Sequence, residues 1–240
     1  ELRDFVKTKD NVIWLRPRYP FTQIIEKYGY PVISKEVSDV INGARKGQSY
    51  RLARLSGELL DKNGKKSIYN CEKYKYLLDA PFAISARCCY HMKKAPLDKF
   101  ERQSGRHPIT GVLACESKLR EQKWLQFGCN GFERKRPLSQ PLAFWREEDI
   151  LRYLKMTGIP YAPIYGDIVE VKKRNGALTL KTTGVSRSGC MYCMYGVHLE
   201  HEPNRFQLME KTHPQQYHYC IHELGLGAVL DYIGVPYSCH

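Results

Sequence analysis

The chain has 240 residues, 42% of them hydrophobic, enough for one large domain or a domain with an appendage built round a sizeable core. Lysine and arginine outnumber aspartate and glutamate by 38 to 25, and the resulting net charge of +13 points to anionic partners, small or polymeric. No apolar run approaches the length of a membrane span, the start at Glu1 has no signal-peptide pattern, and nine cysteines are too dilute for a disulfide scaffold, so the expected setting is the reducing cytoplasm, with no membrane partner.

Val12-Ile13-Trp14-Leu15 is a short apolar run that reads as a strand, and Ile24, Ile25 and Tyr28 then share one face of a helix over 21–28. A further short strand is expected at Pro31–Ile33. Ser34 follows as N-cap of a helix with Val37 as its third residue and Val40 and Ile41 on one face. The basic, tyrosine-rich stretch 43–76 predicts helices around a loop at Lys62-Asn63-Gly64-Lys65. Pro96 suits the first turn of a helix running through Phe100 and ended by Gly105. Ile109–Leu113 reads as a buried strand, followed by a helix over 118–127 that carries Leu119, Trp124 and Leu125.

Trp145–Met156 predicts an amphipathic helix with Ile150, Leu151 and Leu154 inward. Ile168–Leu180 predicts a hairpin turning at Asn175-Gly176. The stretch 204–230 reads as two or more helices broken at Pro214. Strands alternating with helices indicate an α/β fold with a mainly parallel sheet and a helical C-terminal part. We expect a core over 1–145 and a C-terminal segment over 146–240 within one compact unit.

Two cysteine motifs carry the chemistry: the tandem pair Cys88-Cys89, and Cys190-Met191-Tyr192-Cys193 within the run Gly184-Val185-Ser186-Arg187-Ser188-Gly189 that precedes it. A CxxC sets two thiolates on one tight turn, and a distant pair can complete a four-sulfur site of Cys88, Cys89, Cys190 and Cys193. A cubane iron–sulfur cluster has irons at separate corners that adjacent thiolates can reach. Zinc usually takes its sulfurs from knuckles with a spacer, and buried structural thiols or a disulfide remain as further readings. Cys71, Cys115, Cys129 and Cys220 have no partner spacing and read as buried structural thiols.

The tandem Cys-Cys followed about a hundred residues later by Cys-x-x-Cys resembles the [4Fe-4S] signature of the adenylyl-sulfate reductases, in the phosphoadenosine phosphosulfate (PAPS) reductase family of PP-loop proteins. Lys93, Pro96 and Leu97 follow the pair as in the family's Cys-Cys-x-x-Arg-Lys-x-x-Pro-Leu. Ile109-Thr110-Gly111 with Ser117 and Arg120 resembles its Ile-Thr-Gly-x-Arg-x-x-x-Ser-x-x-Arg. Pro141-Leu142-Ala143-Phe144-Trp145, Asp149-Ile150 and Ile159-Pro160-Tyr161 resemble its later segments, in the same order.

The resemblance implies a Rossmann-like parallel sheet of the adenine nucleotide α-hydrolase (PP-loop) type, a [4Fe-4S] cluster on the four cysteines, and a small anionic adenine nucleotide (adenylyl sulfate, PAPS or ATP). By the same resemblance Ser117 and Arg120 line the nucleotide pocket, and Lys93 faces both cluster and substrate. An electron or sulfur donor protein is an implied partner. The family's Ser-Gly-Gly-x-Asp-Ser phosphate loop is missing, while Glu1-Leu2-Arg3-Asp4-Phe5 resembles the helix after its second strand. The loop is therefore expected upstream of Glu1, and the sequence reads as a fragment.

Gly184 and Gly189 allow close approach to an anion, with Arg187 as a fixed charge in a cofactor-binding role, or else they serve the turn alone. His198 and His201 read as surface or as neighbours of a site that four cysteines already complete, and Tyr192, Tyr195 and Phe206 as packing around it. The sequence departs from the family at Met92, at Val112-Leu113 and at Met194. Its end, Tyr237-Ser238-Cys239-His240, lacks the Glu-Cys-Gly-x-His motif of the reductase nucleophile. Cys239 is the candidate catalytic thiol, activated by His240 or else only part of a mobile terminus.

Two enzyme readings follow: a sulfonucleotide reductase, or ATP-dependent sulfur insertion into nucleic acid, as in tRNA thiolation or DNA phosphorothioation. A zinc-stapled nucleic-acid-binding module is the non-enzymatic rival. Lys65-Lys66, Arg134-Lys135-Arg136 and Lys172-Lys173-Arg174 are the runs expected to form a phosphate track if the partner is a nucleic acid. The sequence is also compatible with a homo-oligomer.

Overall fold

The computed structural model describes residues 2–185 and 189–239. Its α-helices are α1 (Leu2–Lys7), α2 (Phe21–Tyr28), α3 (Lys35–Ala44), α4 (Ser49–Ser56), α5 (Arg87–Cys89), α6 (Ala95–Ser104), α7 (Lys118–Phe127), α8 (Glu147–Thr157), α9 (Arg205–Thr212), α10 (Pro214–His218) and α11 (Leu226–Tyr232). The strands are β1 (Val32–Ile33), β2 (Asn130–Gly131), β3 (Leu138–Ser139), β4 (Ile168–Lys172), β5 (Leu178–Thr182) and β6 (Met194–Tyr195). The chain forms two compact units, one of Glu1–Leu15 with Asp98–Gly189 and one of Arg16–Leu97 with Cys190–His240. The fold is α/β with a parallel strand pair.

The second unit holds a large apolar cluster built from β1, α3, α4, α9 and α11, in which Ile41, Leu55, Phe206, Leu226 and Leu230 are almost wholly buried. Each such side chain contributes about 1.5–3 kcal/mol relative to leaving it in water. Ser34 caps α3 by accepting from the Val37 N–H at 3.1 Å, which fixes where β1 ends and the helix begins. β1 runs parallel to β6, with Val32 opposite Met194 and Ile33 opposite Tyr195. Two residues earlier, Tyr30 forms a parallel bridge to Ile84.

Successive residues of a strand direct their backbone groups to opposite sides, so β1 lies between the segment that leads into Cys88 and the one that leaves Cys193. Gly29 makes this possible. Its φ of 96° belongs to glycine, and a Cβ there would lie 2.3 Å from the Ala83 carbonyl. Where the bridging segment leaves β1, the buried Ser38 hydroxyl takes its place, accepting from the Val32 N–H at 3.0 Å and donating to the Val32 carbonyl at 2.8 Å.

In the first unit β4 and β5 form the expected hairpin, with Ile168 opposite Thr182 and Gly176 at φ 82° in the turn. Helix α8 packs on it, with Leu151 buried and Ile150 and Leu154 half-buried. Two expectations fail here. Val12–Leu15 is not a strand, and Ile13 and Trp14 are more than half exposed. Ile109–Leu113 is not a buried strand either: Ile109 is exposed and meets Ser139 in one parallel bridge. An apolar run becomes a strand only beside a partner edge, and among the described residues these runs lack a continuous one. Helix α7 forms over the expected residues, but Leu119 and Leu125 are exposed, because five- and six-residue spacings spread Leu119, Trp124 and Leu125 around the helix rather than along one stripe.

Candidate functional site

All four motif cysteines belong to the second unit. Cys88 is buried and Cys89 half-buried on α5, which continues through a π turn at Tyr90–Lys94 into α6. Cys190 and Cys193 are half-buried on the turn before β6, closed by the Cys193 N–H donating to the Cys190 carbonyl at 3.1 Å. The Cys193 carbonyl in turn accepts from Arg205 Nη1 at 2.9 Å, and the Arg205 guanidinium is paired with Glu200.

The electrostatics show that these sulfurs share one neighbourhood. Burial pushes the Cys88 thiol up to about 12, and the nearby Cys89, Cys190 and Cys193 push the same way against the Lys93 charge. Burial also raises the Cys193 thiol, opposed by a backbone hydrogen bond from Tyr195 and by Arg205. Burial on this scale keeps the thiols protonated unless a bound cation or cluster neutralises their thiolates.

The residues present fit such a group in two respects. The donor set is four sulfurs from two motifs. The Tyr195 hydroxyl is buried beside Cys88, Cys89 and Cys193, close to Ser38 but outside hydrogen-bonding geometry, and has no partner among the described residues. Among those residues the side chains are not drawn together to metal-ligand spacing.

Lys93 is exposed on the π turn, and its charge opposes the rise in the Cys88 pKa. Cys239 is exposed but tethered: its N–H donates to Glu210 Oε2 at 2.7 Å and its Sγ to the Gln207 carbonyl at 3.7 Å. Ser117 and Arg120 lie in the other unit. The Ser117 hydroxyl caps α7 by accepting from the Arg120 N–H at 3.3 Å, and the Arg120 guanidinium is paired with Glu116. Arg187, with Ser186 and Ser188, lies outside the described residues. Gly184 packs against the backbone of Ile164–Gly166, where a Cβ would lie 2.3 Å from the Ile164 carbonyl oxygen, so its role there is close backbone approach.

Cys71 and Cys220 are buried as expected, whereas Cys115 is exposed and Cys129 half-buried, because each sits next to an end of the poorly buried α7. His198 is half-buried against Tyr74 at 6.3 Å, and burial, then Lys73, holds its pKa below the usual value. Tyr192 packs on Phe21 and Tyr219, and Phe206 is in the core. Each positive run gives up a charge to carboxylates: Lys66 to Glu72, Arg136 to Asp98 and Glu101, and Lys173 to Glu148. Sequence reasoning missed Arg205 and Ser38, for which spacing gave no signal.

Residues 9–194, which include all four motif cysteines, match the phosphoadenosine phosphosulfate reductase domain, and the chain belongs to that family. No curated protein and no solved structure matches it. Among the described residues no helix is long and apolar enough to cross a membrane.

Proposed function

We propose that the protein is an iron–sulfur enzyme of sulfur transfer, similar to the adenylyl-sulfate and PAPS reductases. Cys88, Cys89, Cys190 and Cys193 would hold a [4Fe-4S] cluster, and an adenine nucleotide carrying activated sulfur would be the substrate. The reading rests on the presence of those four thiols in one unit of a family member. When bound, such a cluster would supply a redox-active centre whose potential its surroundings tune.

Lys93 places a cation beside Cys88, where it can orient a sulfate or phosphate group. Arg205 fixes the Cys193 carbonyl and hence the direction of the CxxC turn. Ser117 and Arg120 would bind the nucleotide once Arg120 exchanges Glu116 for phosphate, and Arg187 would add a further charge. In the reductase form, the Cys239 thiolate attacks the substrate sulfur. The new S–S bond replaces the sulfur–oxygen bond to the nucleotide, and a thiol reductant then releases sulfite and restores the Cys239 thiol.

A second reading, sulfur insertion into nucleic acid, is favoured by the charge of +13. The test of the metal comes first. Protein purified without oxygen should be brown, with iron and acid-labile sulfide that are lost on changing any of the four cysteines to serine. Stoichiometric zinc without sulfide would reject the cluster.

A further inference from the structure

Beside the cysteine pair stands a cluster of rings and cations with no part in the chemistry above. Tyr28 and His91 stack with centroids 4.6 Å apart and planes 15° apart, and Tyr19 stands edge-on to His91 at 6.2 Å. Over these rings lie Arg18, 5.1 Å from Tyr19; Lys27, 5.5 Å from both Tyr19 and Tyr28; and Arg87, 6.0 Å from Tyr28. The three segments meet because α2 packs against α5.

The patch gathers three exposed cations over one set of rings. Arg18, Lys27 and Arg87 are exposed, and among the described residues none is in an ion pair, whereas Lys66, Arg136 and Lys173 all face carboxylates. Holding three like charges on one patch of rings opposes folding through their repulsion. Packing alone would be served as well by neutral side chains. The arrangement matches a ligand that brings several negative charges together with flat aromatic groups, as single-stranded nucleic acid does; a duplex hides its base faces, and a mononucleotide needs fewer cations.

We propose that Arg18, Lys27 and Arg87 with the rings of Tyr19, Tyr28 and His91 form a binding surface for single-stranded nucleic acid. Phosphates sit on the cations and bases lie against the ring cluster. Arg87 immediately precedes Cys88 and His91 follows Cys89 by two residues, so a bound strand passes the cysteine pair. The surface depends on ring and charge placement alone, independently of the sulfur reaction, and is tested by binding without turnover.

The probe is a fluorescent oligothymidylate of about 12 nucleotides, titrated by anisotropy with the 240-residue protein across a salt series. Log affinity should fall linearly with log salt. The triple variant Arg18→Gln, Lys27→Gln, Arg87→Gln should flatten that slope by about 2, at about 0.7 per phosphate contact on a single strand. It should also bind at least about tenfold more weakly at low salt while keeping its circular dichroism melt. Arg134→Gln, Lys135→Gln, Arg136→Gln should bind as the parent does. Absence of binding by the parent at low salt, an unchanged slope in the first triple variant, tighter binding to a duplex of the same length, or displacement by adenosine monophosphate at equal phosphate concentration would each overturn the proposal.

Discussion

Arg205 Nη1 donates to the Cys193 carbonyl at 2.9 Å while the same guanidinium is paired with Glu200, so one side chain ties the CxxC turn to the start of α9. Burial pushes the Glu200 carboxyl up, but its hydrogen bonds and charge interaction with Arg205 outweigh this and hold it below the usual 4.5. A carboxylate whose pKa is depressed by folding contributes stability above its unfolded pKa and loses it as pH falls through the folded value. Arg205→Ala should therefore lower Tm near neutrality, and the gap between variant and parent should close as pH falls below about 4.5. Arg205→Lys should recover only part of the loss, since an ammonium cannot span carbonyl and carboxylate as the fork does. A Tm gap that is the same at every pH would refute the linkage.

The buried Cys88, with its thiol pushed up to about 12, should be inert in metal-free protein. Alkylation with iodoacetamide at pH 8, followed by mass mapping, should label the exposed Cys115 and Cys239 first and the buried Cys71, Cys88 and Cys220 last. Labelling of Cys88 as fast as Cys115 would mean that the α5 site is open to solvent.

Ser38 is fully buried, and its hydroxyl bonds to both backbone groups of Val32. Ser38→Ala should destabilise the protein by about 1–3 kcal/mol in urea unfolding, because it strands an N–H and a carbonyl in the core. The loss should exceed that of Ser34→Ala, whose cap loss is about 1 kcal/mol at the more accessible end of α3. Equal losses would show that water reaches Val32 in the variant.

What the sequence displayed, and what it hid, follows from the range of each interaction. The Ser34 cap, the 21–28 helix and the Asn175-Gly176 hairpin depend on residues within a few positions of one another and were legible. The pairings of Tyr30 with Ile84 and of Val32 with Met194 join distant segments, and nothing in Val12–Leu15 or Ile109–Leu113 reveals that, among the described residues, no continuous partner strand awaits them. The same limit governs charge. Arg134-Lys135-Arg136 is conspicuous in the sequence, yet Arg136 is held by Asp98 and Glu101, while Arg18, Lys27 and Arg87, in no ion pair among the described residues, are assembled from separate segments. The two cysteine motifs were legible because each is local, whereas their placement in one unit was not.

The end of the chain carries the remaining test of the reaction. A mobile terminus was one reading of this end, but residues 236–239 are tied to α9: Asn204 Nδ2 donates to the Pro236 carbonyl at 2.5 Å, Gln207 Nε2 to the Ser238 carbonyl at 3.1 Å, and Cys239 meets Gln207 and Glu210. The helix whose first residue holds the CxxC turn therefore also holds the candidate nucleophile. If the reductase reading is right, Cys239→Ser should abolish sulfite release from adenylyl sulfate or PAPS and leave iron and sulfide content unchanged, since a serine hydroxyl cannot form the S–S bond and the residue is separate from the four motif thiols. Gln207→Ala, which removes the hydrogen bond to the Ser238 carbonyl, should lower kcat more than it raises KM, because it loosens the nucleophile without removing a substrate contact. Full sulfite release by Cys239→Ser would remove this thiol from the mechanism and require another nucleophile for the S–S bond.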